Sequence, residues 1–230
     1  MERVLEPELM NDLGQAQAYA QANFAEPHNA YPQLFLAEFP SPPVKAVAVD
    51  LGCGPADVTI RFARIFPNYE FHAVDGAPAM LSQARLALQQ QPEIASRIRL
   101  IEGYLPGVTL PHGSYDVILS NNLLHHLPDP QALWQTVRRC GHPGTLVFVS
   151  DLFRPCDRAT AARMVELYAR DEPEILQRDF FNSLLAAFTP GNSDSVGDRK
   201  FAIPNSQTNQ RPACDSRWKP HLLNRKLTTS

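Results

Sequence analysis

The stretch Val47-Ala48-Val49-Asp50-Leu51-Gly52-Cys53-Gly54-Pro55-Ala56-Asp57 constrains the fold more than any other part of this 230-residue chain. Its apolar start suits a strand buried on both faces, as in a parallel sheet. Two glycines then permit a tight turn, and helix-compatible residues follow. Parallel strands need crossover connections, so a strand that runs through a turn into a helix implies further strands of the same direction. The sequence supplies them in alternation: helix 56–66, strand 69–75, helix 78–91 with Pro78 at its first position, strand 97–103, strand 115–120, helix 130–139 and strand 145–151. The expected fold class is α/β, a doubly wound, mostly parallel sheet with helices on both faces.

Four regions follow. Residues 1–43 form an N-terminal helical cap, with helices at 11–24 and 31–39. Residues 44–155 form the α/β domain. Residues 156–190 carry two successive helices, 157–170 and 173–188, with no strand between them, and read as a lid or substrate-side element. Residues 191–230 contain ten hydrophobic residues in forty and seven basic residues against three acidic ones, a composition expected to leave a disordered tail outside the sheet. The C-terminal strands that would complete such a sheet are expected to be missing or replaced.

Charge and cysteine usage exclude several classes. The net charge is −3, so no overall positive field recruits phosphate backbones, and nucleic acid is not an expected partner. Apolar runs such as Leu146-Val147-Phe148-Val149 fall far short of the ~20 residues of a membrane span. Glu2, Glu6, Glu8 and Asp12 occupy the start in place of the basic and apolar regions of a signal peptide, and a cytoplasmic protein is expected. Cys53, Cys140, Cys156 and Cys214 lack metal-ligand spacing and are expected to be free thiols, so no metal site is assigned.

The chemistry gathers at the strand ends. Gly52 and Gly54 allow close ligand approach, and the helix start beyond them offers unpaired N–H groups to a carboxylate. Asp50 can face a cationic amino group, so an amino acid moiety fits this pair. Asp75, 25 residues further on and followed by Gly76, can accept both hydroxyls of a ribose. It can equally serve as an N-cap for the helix 77–91. Met80, one turn into that helix, can cover a purine face. Amino acid, ribose and purine are together the parts of S-adenosylmethionine.

These motifs, with Tyr115-Asp116-Val117-Ile118-Leu119-Ser120-Asn121-Asn122-Leu123-Leu124-His125-His126-Leu127, resemble a class I S-adenosylmethionine-dependent methyltransferase over about residues 44–151. The resemblance implies a Rossmann-like domain and a small-molecule methyl acceptor. It places the methionine part on Asp50, Gly52 and Gly54, the ribose on Asp75, and adenine and sulfonium beside Tyr104 and Asn121. Two departures stand out: Ala56 replaces a third glycine, and Tyr104 replaces an aspartate that many members carry.

Other readings remain open at this point. A nicotinamide-dependent oxidoreductase wants a third glycine where Asp57 stands, which would bring a carboxylate toward the pyrophosphate. A non-catalytic or defective relative with an aberrant C-terminus is the other alternative. Cys53 reads as a small buried filler. Adjacent side chains on a helix diverge by about 100°, so His125 and His126 are not expected to share one metal, and one of them is expected to pack beneath the cleft. No catalytic residue is assigned; a general-base role for either histidine is a hypothesis.

Overall fold

The computed structural model describes residues 1–6, 9–189 and, for the backbone, 221–226. Two helices, α1 (Leu13–Gln21) and α2 (Ala25–Glu38), precede the sheet. Then follow β1 (Ala46–Leu51), α3 (Asp57–Ile65), β2 (Tyr69–Asp75), α4 (Pro78–Gln89), the short α5 (Pro92–Ala95), β3 (Ile98–Glu102) and β4 (Tyr115–Asn121). A 3-10 turn (Leu124–His126), α6 (Gln131–Cys140), β5 (Gly141–Asp151), α7 (Arg158–Tyr168), α8 (Glu174–Ala186) and β6 (His221–Lys226) complete the described elements. The strand order is β3-β2-β1-β4-β5-β6, parallel from β3 to β5. The order reverses between β1 and β4, and in open α/β sheets ligands bind at the strand ends beside such a switch point.

Each face of the sheet buries its own core. On one side Phe35 of α2 meets Phe62 and Phe66 from the α3 region and Phe148 of β5 edge-on, at centroid distances of 5.5, 5.6 and 5.6 Å. Such aromatic pairs add ~0.5–1.5 kcal/mol each beyond area burial, so they fix α2 against the sheet. On the other side Leu133, Trp134 and Val137 of α6 pack on Val49, Ile118, Val147 and Val149. Strands covered on both faces explain the near-continuous apolar runs in β1 and β5.

Three differences from the sequence expectations have physical causes. α2 begins at Ala25 rather than near residue 31: Pro27 stays within the first turn, and Phe24, His28 and Tyr31 stack at 5.1 and 5.8 Å along it. β5 begins at Gly141 rather than 145, because the pairing with β4 shifts register after Gly141↔Tyr115 and Gly144 takes φ +97°. The third concerns the tail. His221–Lys226 pairs antiparallel with β5, Leu222 opposite Ser150 and Lys226 opposite Leu146, so this segment lies in the sheet and not outside it. The exposed edge of β5 offers backbone donors and acceptors to any extended segment, and that demand is nearly indifferent to side-chain composition. The rest of the expectation for 191–230 falls outside the described residues.

Candidate active site

The ends of β1, β2, β4 and β5 lie level, with Asp50 beside Ala73 and Leu119 and Asn121 beside Ser150. The turn after β1 carries three positive-φ positions, each two residues from the next: Gly52 at φ +77°, Gly54 at +54° and Ala56 at +63°. The amides of Gly52 and Cys53 both donate to the Val74 carbonyl at 2.9 Å, binding the turn to the end of β2. The two glycines serve different ends. A Cβ on Gly52 would stand 2.8 Å from Leu123, whereas one on Gly54 would meet nothing within 4 Å. Gly52 is thus closed over by the chain, and Gly54 faces open space.

Asp75 joins the pieces. One of its carboxylate oxygens accepts the Gly54 amide and the other the Ala77 amide, each at 2.8 Å. The second bond reaches only two residues ahead, an Asx turn leading into α4, whose cap position Ala77 has no side-chain bond. The cap expected of Asp75 is therefore this turn instead. Burial pushes the Asp75 carboxyl up, against the opposing effect of the two amides. A carboxylate has about four lone-pair sites, so two remain for a ligand.

Asp50 is buried to 1% exposure, and Thr59 Oγ1 donates to its Oδ2. Burial raises its carboxyl to about 6. Met80 is buried among Ala77, Ala79 and Ala16, with Met10 and Tyr19 packed beside them. The half-exposed ring of Tyr104 and the side chain of Leu9 close over Gly76: a Cβ there would stand 3.1 Å from Tyr104 and 3.0 Å from Leu9. Asn121 Oδ1 is buried without a hydrogen-bond partner. The Tyr31 hydroxyl stands beside Ser150, Asn121 and Asn122, which oppose the burial that pushes its pKa up to about 12. An orphaned polar atom at the end of β4 is what a polar ligand would satisfy. The structure brings Asp50, Gly52, Gly54, Asp75, Gly76, Met80, Tyr104 and Asn121 to this one end of the sheet.

Residues from the chain start help to build the opposite wall. Arg3 donates to the carbonyls of His125, Leu127, Pro128 and Ala186, at 3.0, 2.8, 3.0 and 2.6 Å, and its guanidinium lies 3.9 Å over the Phe188 ring. It straps residues 1–6 across the gap between the 3-10 turn and α8. The strap carries Glu6 to a buried cluster. His125 Nδ1 lies 2.5 Å from Asp151 Oδ1, while Asp151 Oδ2 accepts the amides of Leu124 and His125. Glu6 Oε1 stands 3.6 Å from His125 Nε2 and 3.1 Å from His126 Nδ1, the latter approach lacking hydrogen-bond geometry. Burial alone would lower the His125 pKa, but Asp151 and then Glu6 outweigh it and hold it above the ordinary value. Burial and His125 drive His126 well below its own.

The expected divergence of the two histidines does not occur. Their rings lie 4.3 Å apart within a single 3-10 turn, both facing Glu6 Oε1 at 3.6 and 3.1 Å. Glu6, His125 and His126 can therefore offer one ligand atom each within 4.8 Å of one another. His125 does pack beneath the cleft, 2% exposed. At α3, Asp57 is held by His28 Nδ1 at 2.6 Å and Arg61 Nε at 3.0 Å. Its carboxylate at the helix start opposes a pyrophosphate there, which disfavours the nicotinamide reading.

Comparison with known proteins agrees with this geometry. Residues 49–147 match the family described as "Methyltransferase domain". A ubiquinone biosynthesis O-methyltransferase of Xanthomonas oryzae pv. oryzae (strain PXO99A) is 32% identical over 127 residues, 54% of this chain and 51% of that protein. The chain spans about half the length of the curated relatives it matches. Among solved structures, the plantazolicin methyltransferase BpumL in complex with SAH superposes with a TM-score of 0.57 at 12% identity, over 79% of this chain and 62% of that one. A putative O-methyltransferase from Nostoc punctiforme PCC 73102 gives 0.57 at 23% identity, over 79% and 52%. No helix among the described residues is long and apolar enough to cross a membrane. The parallel sheet with its reversal at β1 and β4, the glycine turn tied to Asp75, and these matches together make the chain similar, over residues 49–147, to methyltransferase domains.

Proposed function

We propose that the chain transfers a methyl group from S-adenosylmethionine to a small-molecule acceptor. The observation that carries this is the cradle at the strand ends: open space at Gly54, a carboxylate with spare acceptor sites at Asp75, and the orphaned Asn121 Oδ1 within one mouth. Gly54 and the turn would hold the methionine part, with Asp50 toward its amino group. Asp75 would take the ribose hydroxyls. Met80, Gly76 and Tyr104 would line the adenine, and Asn121 would lie toward the sulfonium. When bound, the cofactor supplies an already activated methyl group, so the protein contributes mainly position and exclusion of water. The cap α1–α2, the strap and α7–α8 provide the exclusion.

The names of the relatives support oxygen as the accepting atom. A hydroxyl acceptor loses a proton as its oxygen bonds to carbon, and that proton passes to a base. We assign it to His125 at Nε2, with Asp151 fixing Nδ1–H and Glu6 beside Nε2. The free thiols Cys53, Cys140 and Cys156 suit a reducing compartment, and the cytoplasm is our proposed location.

The test is transfer of labelled methyl from S-adenosylmethionine into a panel of hydroxyl-bearing small molecules. Asp75→Ala should weaken S-adenosylhomocysteine tenfold or more, since each charge-assisted hydrogen bond contributes ~1.5–3 kcal/mol. Turnover should rise as pH increases through the raised pKa of His125, because only the neutral imidazole accepts a proton. His125→Gln should lower kcat and flatten that rise with little change in cofactor affinity. A folded Asp75→Ala variant that binds as tightly as the parent would remove the cofactor assignment; an unchanged pH profile in His125→Gln would remove the base.

A further inference from the structure

A second group of titratable side chains lies at the other end of the sheet, outside the site described above. Glu70 and His72 alternate along β2, so both side chains project from one face. Asp75 ends the same strand, and at ~3.3 Å per residue Glu70 is about 16 Å from it. The His72 imidazole is 1% exposed and its Nδ1 lies 2.7 Å from the buried Tyr115 hydroxyl. Its Nε2 lies 3.6 Å from Glu70 Oε1. His112, from the connection before β4, stacks on His72 at a centroid distance of 5.1 Å. One ligand atom of each of the three lies within 4.8 Å of the others.

We propose that Glu70, His72 and His112 form a binding site for a divalent transition-metal ion of the zinc type, at the end of the sheet opposite the methyl-transfer mouth. Two imidazoles and one carboxylate are a donor set suited to zinc and its neighbours, and poorly suited to magnesium or calcium, which favour oxygen. Zinc–ligand distances of about 2.0–2.2 Å bring donor atoms to about 3.3 Å from one another. Glu70 and His112 are exposed and can close that gap by side-chain rotation, whereas His72 stays in place. Tyr115 fixes it: with Nδ1–H donated to the hydroxyl, the Nε2 lone pair faces Glu70 and His112. A ligating histidine commonly has its second nitrogen held in this way. Arg99, opposite His72 on β3, is the opposing charge, and Glu70 offsets it. The bound ion would tie β2 to the connection 103–114, which begins just before Tyr104 at the mouth.

The site is tested on the full chain after chelation, by calorimetric titration with zinc chloride and by the visible spectrum of the cobalt(II) form. Because Glu6, His125 and His126 can also take zinc, both measurements are repeated in His126→Ala. In that background we expect one equivalent of zinc bound with micromolar or tighter Kd, and a rise in Tm on binding. His112→Ala and Glu70→Gln, both surface changes, should each weaken it at least tenfold and abolish the tetrahedral cobalt spectrum, while S-adenosylhomocysteine affinity stays within twofold. Absence of saturable zinc binding overturns the proposal. So does zinc binding unchanged by both substitutions.

Discussion

The two walls of the mouth are built differently. The turn wall comes from residues 50–76, a contiguous strand-turn-helix-strand whose internal bonds, Gly54 to Asp75 and Gly52 to Val74, span about twenty residues. The acceptor wall is assembled from chain ends far apart: Arg3 reaches Ala186 across 183 residues and Glu6 reaches Ser183 across 177. A short-range wall can be specified by a local motif. A long-range one exists only after the domain has folded, and its parts look unremarkable where they stand in the chain.

Substitutions can break this contrast. The largest effect is expected for Gly52→Val, which places a β-branched residue at φ +77° and a Cβ 2.8 Å from Leu123. S-adenosylhomocysteine binding should fall by about a hundredfold or more while far-ultraviolet circular dichroism keeps its α/β shape. Next comes Asp50→Asn. The folded pKa of Asp50 is about 6, above the model-peptide value near 3.9, so the folded state holds the proton more tightly. Stability from this group is full below the unfolded pKa and is lost as pH rises through about 6. Relative to the parent, Asp50→Asn should therefore gain stability between pH of about 4 and about 7, by up to ~3 kcal/mol in urea denaturation. Ligand binding through a cationic amino group should shrink that gain. The smallest effect is expected for Arg3→Ala, at the acceptor wall: kcat/KM should drop several-fold and cofactor affinity should hold. Equal losses in both would mean that the two walls are one unit.

The same contrast explains what the sequence revealed. β2 was legible to the residue, and Asp75 with it, because its apolar run ends in an acid and a glycine turn. Tyr19 and Tyr31 were not, since a tyrosine in a cap helix carries no mark of the wall it will meet. His125 and His126 were visible as a pair, but the neighbour they share, Glu6, comes from the chain start. Glu70, His72 and His112 escaped for a related reason: a search for cysteine or histidine spacing does not register an i, i+2 pair in a strand completed by a residue forty positions away. β6 lay in polar sequence because sheet pairing uses the backbone.

The central claim, that the turn and Asp75 hold S-adenosylmethionine, is tested most directly by calorimetric titration of the purified chain with S-adenosylhomocysteine and, separately, with NADH. The account predicts saturable one-to-one binding of S-adenosylhomocysteine and no heat from NADH beyond dilution. NADH binding without S-adenosylhomocysteine binding, or no binding of either by the folded chain, would contradict it.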